Sequence, residues 1–169
     1  MKTKAAIAVL MSAIFFVSCE KAHERLEYNV NQYNVCMGYS NLLLVRLWDI
    51  RIHPDVARVS AQKLIDYVDT CFAHYGKEIP ASVEEVNSMD DAMLYYMSVY
   101  RQMAVMTCDF ADNANVWTQE EAEELFYSKM DPLVSAAIKT VRRWDELQEE
   151  YAKQHGIKLY DFNKIERLQ

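Results

Sequence analysis

Beyond residue 25, apolar positions recur at helical intervals in four runs parted by turn chemistry. Leu26, Val30, Tyr33, Met37, Leu44 and Trp48 mark one face of a first helix. That run ends near His53-Pro54, because the residue before a proline avoids the α region. Asp55 is placed to cap a second helix, whose stripe is Val56, Val59, Leu64, Tyr67, Val68, Cys71, Phe72 and Tyr75. Gly76 closes it, as a residue at ease with positive φ does at a helix C-terminus. Residues 77–80 make the turn.

A third helix has two possible starts. Ser82-x-x-Glu85 is a capping box, and Ser88 with Asp91 offers a second start. The helix runs to about Ala111, with Met93, Met97, Tyr100, Ala104 and Cys108 on one face. Tyr95, Val99, Met106 and Phe110 widen its apolar surface, so it is expected to be the most buried. Asp112 to Asn115 is turn chemistry. Thr118-x-x-Glu121 opens a fourth helix, whose stripe is Ala122, Leu125, Phe126, Met130, Leu133, Ala137, Val141, Trp144 and Tyr151. Asp131-Pro132 predicts a kink or restart within it, and His155-Gly156 closes it. Four long segments with short links predict an all-α fold, an antiparallel up-down four-helix bundle with a kinked last helix. Only three glycines and three prolines occur, too few for the many turns of a strand-rich domain.

The first residues carry a different pattern. Lys2 and Lys4 precede an unbroken apolar and small stretch from Ala5 to Val17, followed by Ser18 and Cys19. Positive charge, a short apolar core and a small residue before the cut make a secretory signal. The core is shorter than a comfortable membrane span. Phe16-Val17-Ser18-Cys19 resembles the lipobox of bacterial lipoproteins, with phenylalanine where leucine is usual. The resemblance implies that Cys19 is acylated and becomes the mature N-terminus, anchoring the chain to a membrane. Glu20 stands where an aspartate would mark inner-membrane retention in enteric bacteria. The expected location is therefore the bacterial cell envelope, as an outer-membrane lipoprotein facing the periplasm. The expected organisation is a signal peptide over 1–18, a lipidated tether over 19–25, a helical bundle over 26–156 and a tail over 157–169.

Hydrophobic residues make up 51% of the chain, which excludes a disordered protein. The net charge is −7, and loss of Lys2 and Lys4 with the signal makes it more acidic. Such a body disfavours nucleic acid and anionic membrane surfaces. Cys36, Cys71 and Cys108 remain after Cys19. Outside the inner membrane disulfides are permitted, and an odd number leaves at least one thiol unpaired. Cys36 lies seventeen residues before His53 and Cys71 seventeen after Pro54. In an antiparallel hairpin these two are level, because both helices rise equally per residue. If one disulfide forms, Cys36–Cys71 is the expected pair, with Cys108 free; apolar packing of all three is the alternative.

Met89, Met93 and Met97 are spaced by four on one helix face. Thioethers are soft ligands that select Cu(I), but methionine also fills irregular core gaps, and no histidine lies near. His23, His53, His74 and His155 sit in the tether, at a turn or near helix ends. The acidic pairs Glu84-Glu85 and Asp90-Asp91 and the runs 120–124 and 146–150 read as helix starts or solvated faces. There is no nucleophile elbow, phosphate loop, zinc-protease or dinucleotide motif. The sequence calls for no cofactor and no catalytic residue. Eleven tyrosines suit half-buried helix faces and protein contacts. The expected function is non-catalytic: a lipid-anchored envelope protein that binds other proteins. In size and helical layout the chain resembles small lipoproteins of Bacteroidetes type VI secretion systems. That likeness implies an accessory or scaffold subunit of a trans-envelope machine and assigns no residue a role. The alternatives are an immunity or inhibitor protein that occupies a toxin or enzyme, and a small-ligand or Cu(I) carrier.

Overall fold

A computed structural model describes residues 21–43, 50 and 53–159. The lipobox, Cys19, Leu44, Trp48 and the tail from residue 160 lie outside the described residues. Among those described, all regular structure is helical. We label the helices α1 (21–43), α2 (Pro54–Tyr75), α3 (Met89–Asp112) and α4 (Gln119–Gln154), with a short 3₁₀ turn at Val83–Glu85 before α3.

Local chemistry sets most boundaries. Gly76 sits in the left-handed region at φ 57°, and its N–H donates to the Phe72 carbonyl. Thr118 and Glu121 form the reciprocal capping box: each side chain accepts from the other residue's backbone N–H. At the far end of α4, Gly156 takes φ 66°. There the N–H of Ile157 reaches the Ala152 carbonyl at 2.8 Å and that of Gly156 reaches Lys153. This is a Schellman close, with Ile157 folded onto the core.

At two points the structure departs from the sequence expectation, and at two more it decides between the starts of α3 and against a restart in α4. α1 is already helical at Lys21, so most of the segment read as tether belongs to the helix, and Ala22 is buried. His53, not Asp55, is the N-cap of α2; it makes no side-chain cap, and Pro54 fills the first turn. Of the two starts for α3, Ser88 prevails: its hydroxyl accepts from the Asp91 N–H at 3.1 Å. Glu85 instead accepts from the Ala81 N–H, and Ser82 caps nothing, so that box yields one 3₁₀ turn. Finally, α4 runs unbroken through Pro132. Both Pro132 and Ser128 are exposed, so water can serve the carbonyl that proline leaves without a donor.

The buried side chains of α1 are Ala22, Leu26, Asn29, Tyr33, Cys36, Ser40 and Leu43. Their steps alternate between four and three, the seven-residue repeat of a packed helix seam. Val30 and Met37, expected on that face, are its half-buried flanks. α3 is buried nearly all round, with Met93, Leu94, Met97, Val99 and Met103 at 1% exposure or less. It packs against both α2 and α4. Arg58 near the start of α2 pairs with Asp112 at the end of α3 (3.1 Å), and Lys77 just past α2 pairs with Asp90 at the start of α3 (2.7 Å). Between them Arg101 grips both oxygens of Asp69, at 2.6 and 3.2 Å.

Asp90 joins the helices. Its side chain is 12% exposed and takes Arg25 Nη2 at 2.8 Å and Lys77 Nζ at 2.7 Å on one oxygen. The other oxygen accepts from Asn29 Nδ2 at 3.3 Å. Asn29 Oδ1 in turn accepts from the Trp144 indole at 2.7 Å. α1, α3, α4 and the α2–α3 link thus meet in one polar chain. Burial pushes the Asp90 carboxyl up, but the Lys77 hydrogen bond and the Arg25 and Lys77 charges outweigh it and hold the group below its ordinary value.

Replacing this carboxylate by an amide keeps one acceptor oxygen but removes the charge and the second oxygen that Arg25 and Lys77 share, although these cations are half exposed and rehydrate. Asp90→Asn is expected to lower stability by about 2 kcal/mol at neutral pH, as loss of charge-assisted hydrogen bonds does. The wild-type advantage is complete above the unfolded carboxylate value of about 3.9 and is lost as pH falls toward the lower folded value. Urea unfolding of both proteins at pH 7 and at pH 3 checks the magnitude and the sign: the gap should shrink in acid.

Candidate functional site

The chemistry-bearing side chains gather in two places, an aromatic and thiol belt inside the bundle and a charged groove outside it. In the belt, Tyr33 stacks on Trp144 at 4.4 Å with planes 15° apart. Tyr96 follows at 5.2 Å from Tyr33, and Tyr100 at 4.7 Å from Tyr96. Across α1, Gln32 Oε1 accepts from the Tyr67 hydroxyl at 2.8 Å and lies 3.8 Å from the Cys71 Sγ. Burial pushes the Tyr33 phenol up to about 12, aided by the Asp145 charge. Burial also raises Tyr67, Tyr75, Tyr96 and Tyr100. These phenols stay neutral under ordinary conditions; the Tyr67 tip donates to Gln32, whereas the buried Tyr75 hydroxyl has no partner among the described residues.

All three described cysteines carry free thiols, Cys36 and Cys71 buried and Cys108 partly exposed. Burial drives the Cys36 thiol up to about 12; a hydrogen bond with Ser40 opposes this and the Cys71 charge adds to it. Burial also raises Cys71 and Cys108. The thiolate is the nucleophile, so none of the three is activated.

Met89, Met93 and Met97 are 5%, 0% and 0% exposed and belong to the same core as Leu64, Val68 and Tyr96. The histidines do not converge. His23 pairs with Glu27 on the exposed face of α1, His74 lies against Tyr28 and Tyr75, and His155 packs on Tyr151. Among the described residues, no group of three or more His, Cys, Asp and Glu is placed to hold a metal. No described helix is long and apolar enough to cross a membrane.

Sequence reasoning grouped Asp90 with Asp91 as solvated helix-start acids. Asp91 fits, accepting from the Asn87 N–H. Asp90 turns inward, and its partner Asn29 lies 61 positions away, a pairing that no local spacing rule reveals. Asn29 was hidden for a related reason: it interrupts an apolar stripe and so reads as solvent-facing.

The groove lies between the 3₁₀ turn and α4, a shallow depression open to solvent with room of about 400 Å³. Lys139, Arg142, Arg143 and Glu146 supply the α4 wall, at spacings that share one helix face. Val83, Glu84, Val86 and Asn87 supply the other wall. Arg143 is anchored there, donating to the Val86 carbonyl at 3.3 Å and to Glu146 at 3.0 Å.

Two outcomes follow from the burial pattern. Met93→Leu and Met97→Leu are volume-conserving swaps and should each cost less than about 1.5 kcal/mol in thermal or chemical unfolding. A maleimide pulse on the reduced, folded protein should label Cys108 well before Cys36, with Cys36 becoming reactive only on unfolding; peptide mass mapping reads the order.

No known protein family, curated protein or solved structure matches the chain.

Proposed function

We propose that the chain is a lipid-anchored envelope protein whose helical body binds other proteins and performs no catalysis. The observation that carries this reading is the run from Lys2 to Cys19, in which basic residues, an apolar core and Val17-Ser18-Cys19 stand in lipobox order. The interior supports it. Buried carboxylate, amide, indole and phenol groups are engaged in holding helices together, and the thiols are raised rather than activated. The acidic balance suits a protein partner better than nucleic acid. An accessory or scaffold subunit of a trans-envelope secretion system is the role this combination fits best.

The same proposal includes the arrangement of the body. The helices run up and down, antiparallel, as the Arg58–Asp112 and Lys77–Asp90 pairs at opposite ends of α2 and α3 suggest. α4 bends at Pro132, where one backbone hydrogen bond is missing. In an oxidising compartment Cys36 and Cys71 are the pair that a disulfide would join.

Lipidation is tested by feeding cells an alkyne-tagged fatty acid and capturing the protein. Wild type should carry the tag and fractionate with membranes. Cys19→Ala should carry none and either leave the membrane or accumulate unprocessed. Equal tagging and equal fractionation of the two forms would refute the anchor. Crosslinking in intact envelopes with the tagged wild type as bait then identifies the partner.

A further inference from the structure

We propose that the groove between the 3₁₀ turn and α4 is a docking site for a short acidic peptide segment of a partner protein. The inference rests on the reading of the chain as a protein-binding body and gives that body a specific contact surface.

Three features point to an acidic occupant. First, the groove holds three cations, Lys139, Arg142 and Arg143, against two carboxylates, Glu84 and Glu146, in a chain whose net charge is −7. A local excess of positive charge on an acidic protein steers an anionic segment to that place. Second, the cations are not equally engaged. Arg143 is held by the Val86 carbonyl and Glu146, Lys139 faces the Glu84 charge without closing an ion pair, and Arg142 pairs with no described residue. Among the described arginines Arg25, Arg58, Arg101 and Arg143 are each paired with a carboxylate, and Arg142 alone is not. Arg142 thus presents an unengaged guanidinium fork, a geometry matched to a carboxylate. Third, the surface forms a shallow, open trough between two walls. About 400 Å³ is within the range of a small ligand site and receives a few residues of extended chain.

The occupant is a peptide rather than a phosphodiester chain. Polyphosphate backbones need a long track of cations, and the acidic surface beyond the groove repels them. A carboxylate-bearing segment of a few residues needs only the cations present, and the half-buried Val83 offers an apolar patch to its aliphatic stems.

The test is fluorescence anisotropy with a fluorescein-labelled tetraglutamate peptide and the purified full-length chain at low salt. Wild type should bind, and binding should weaken as salt is raised. Lys139→Glu with Arg142→Glu should weaken it about tenfold or more, a change of about 1.4 kcal/mol. Both residues are exposed, so the fold is kept, and circular dichroism verifies this; Arg143 is left alone because it braces the 3₁₀ turn. Lys63→Glu with Lys129→Glu makes the same charge change outside the groove and should leave binding within about twofold of wild type. No binding by wild type, equal weakening by the two double variants, or tighter binding of an oligothymidylate of equal length would each overturn the proposal. None of these outcomes touches the lipid anchor, which is read from the Cys19→Ala fractionation, so the two readings fail separately.

Discussion

One carboxylate organises this bundle. Asp90 is where two helices and a link converge, and its ionised form takes a guanidinium, an ammonium and an amide at once. A buried charge is costly unless it is paired and hydrogen-bonded. Here both conditions are met, and the amide passes the constraint on to the indole of Trp144. Trp144 then fixes Tyr33 by stacking, which sets the start of the aromatic belt. Apolar packing alone tolerates many helix registers of similar energy. A single carboxylate with directional partners on other elements selects among them, as one polar residue in a coiled-coil seam does.

The seam of α1 shows how packing and polarity share the work. Asn29 and Ser40 are as buried as the leucines around them, at 1% and 0% exposure. Ser40 satisfies itself by donating to the Cys36 carbonyl one turn back. Asn29 cannot, and finds partners on α3 and α4 instead. α4 repeats the same rhythm: Phe126, Met130, Leu133, Ala137, Thr140, Trp144, Leu147 and Tyr151 are buried or half-buried, at alternating steps of four and three. Thr140 is again self-satisfied, through the Ala136 carbonyl.

What was legible in the sequence was local. Gly76, Thr118-Glu121 and Gly156 act within one turn of themselves, so their spacing is enough to place three helix ends. The stripe of α4 was legible too, because its apolar residues are numerous and its partners are close-packed. What was hidden depends on tertiary placement. The choice between Ser82 and Ser88 turns on which segment packs against α4, and Val86, at 1% exposure, is held beneath Arg143. The helical state of residues 21–25 rests on burial of Ala22 and on Arg25 reaching Asp90, neither of which a polar, mixed-charge segment announces. The groove was hidden because Lys139, Arg142 and Arg143 look like an ordinary solvated face until the 3₁₀ turn is set opposite them.

The early start of α1 bears on how the body stands on its membrane. With helix from Lys21, only two peptide links separate Cys19 from rigid structure. Extended chain spans at most about 3.6 Å per residue. On the lipidated reading the anchor is thus a short stalk of about 7 Å rather than a leash. Such a stalk would hold the domain against the membrane surface and couple its orientation to the axis of α1. A body so held could not search far for a partner, which would have to bring its own reach to that surface.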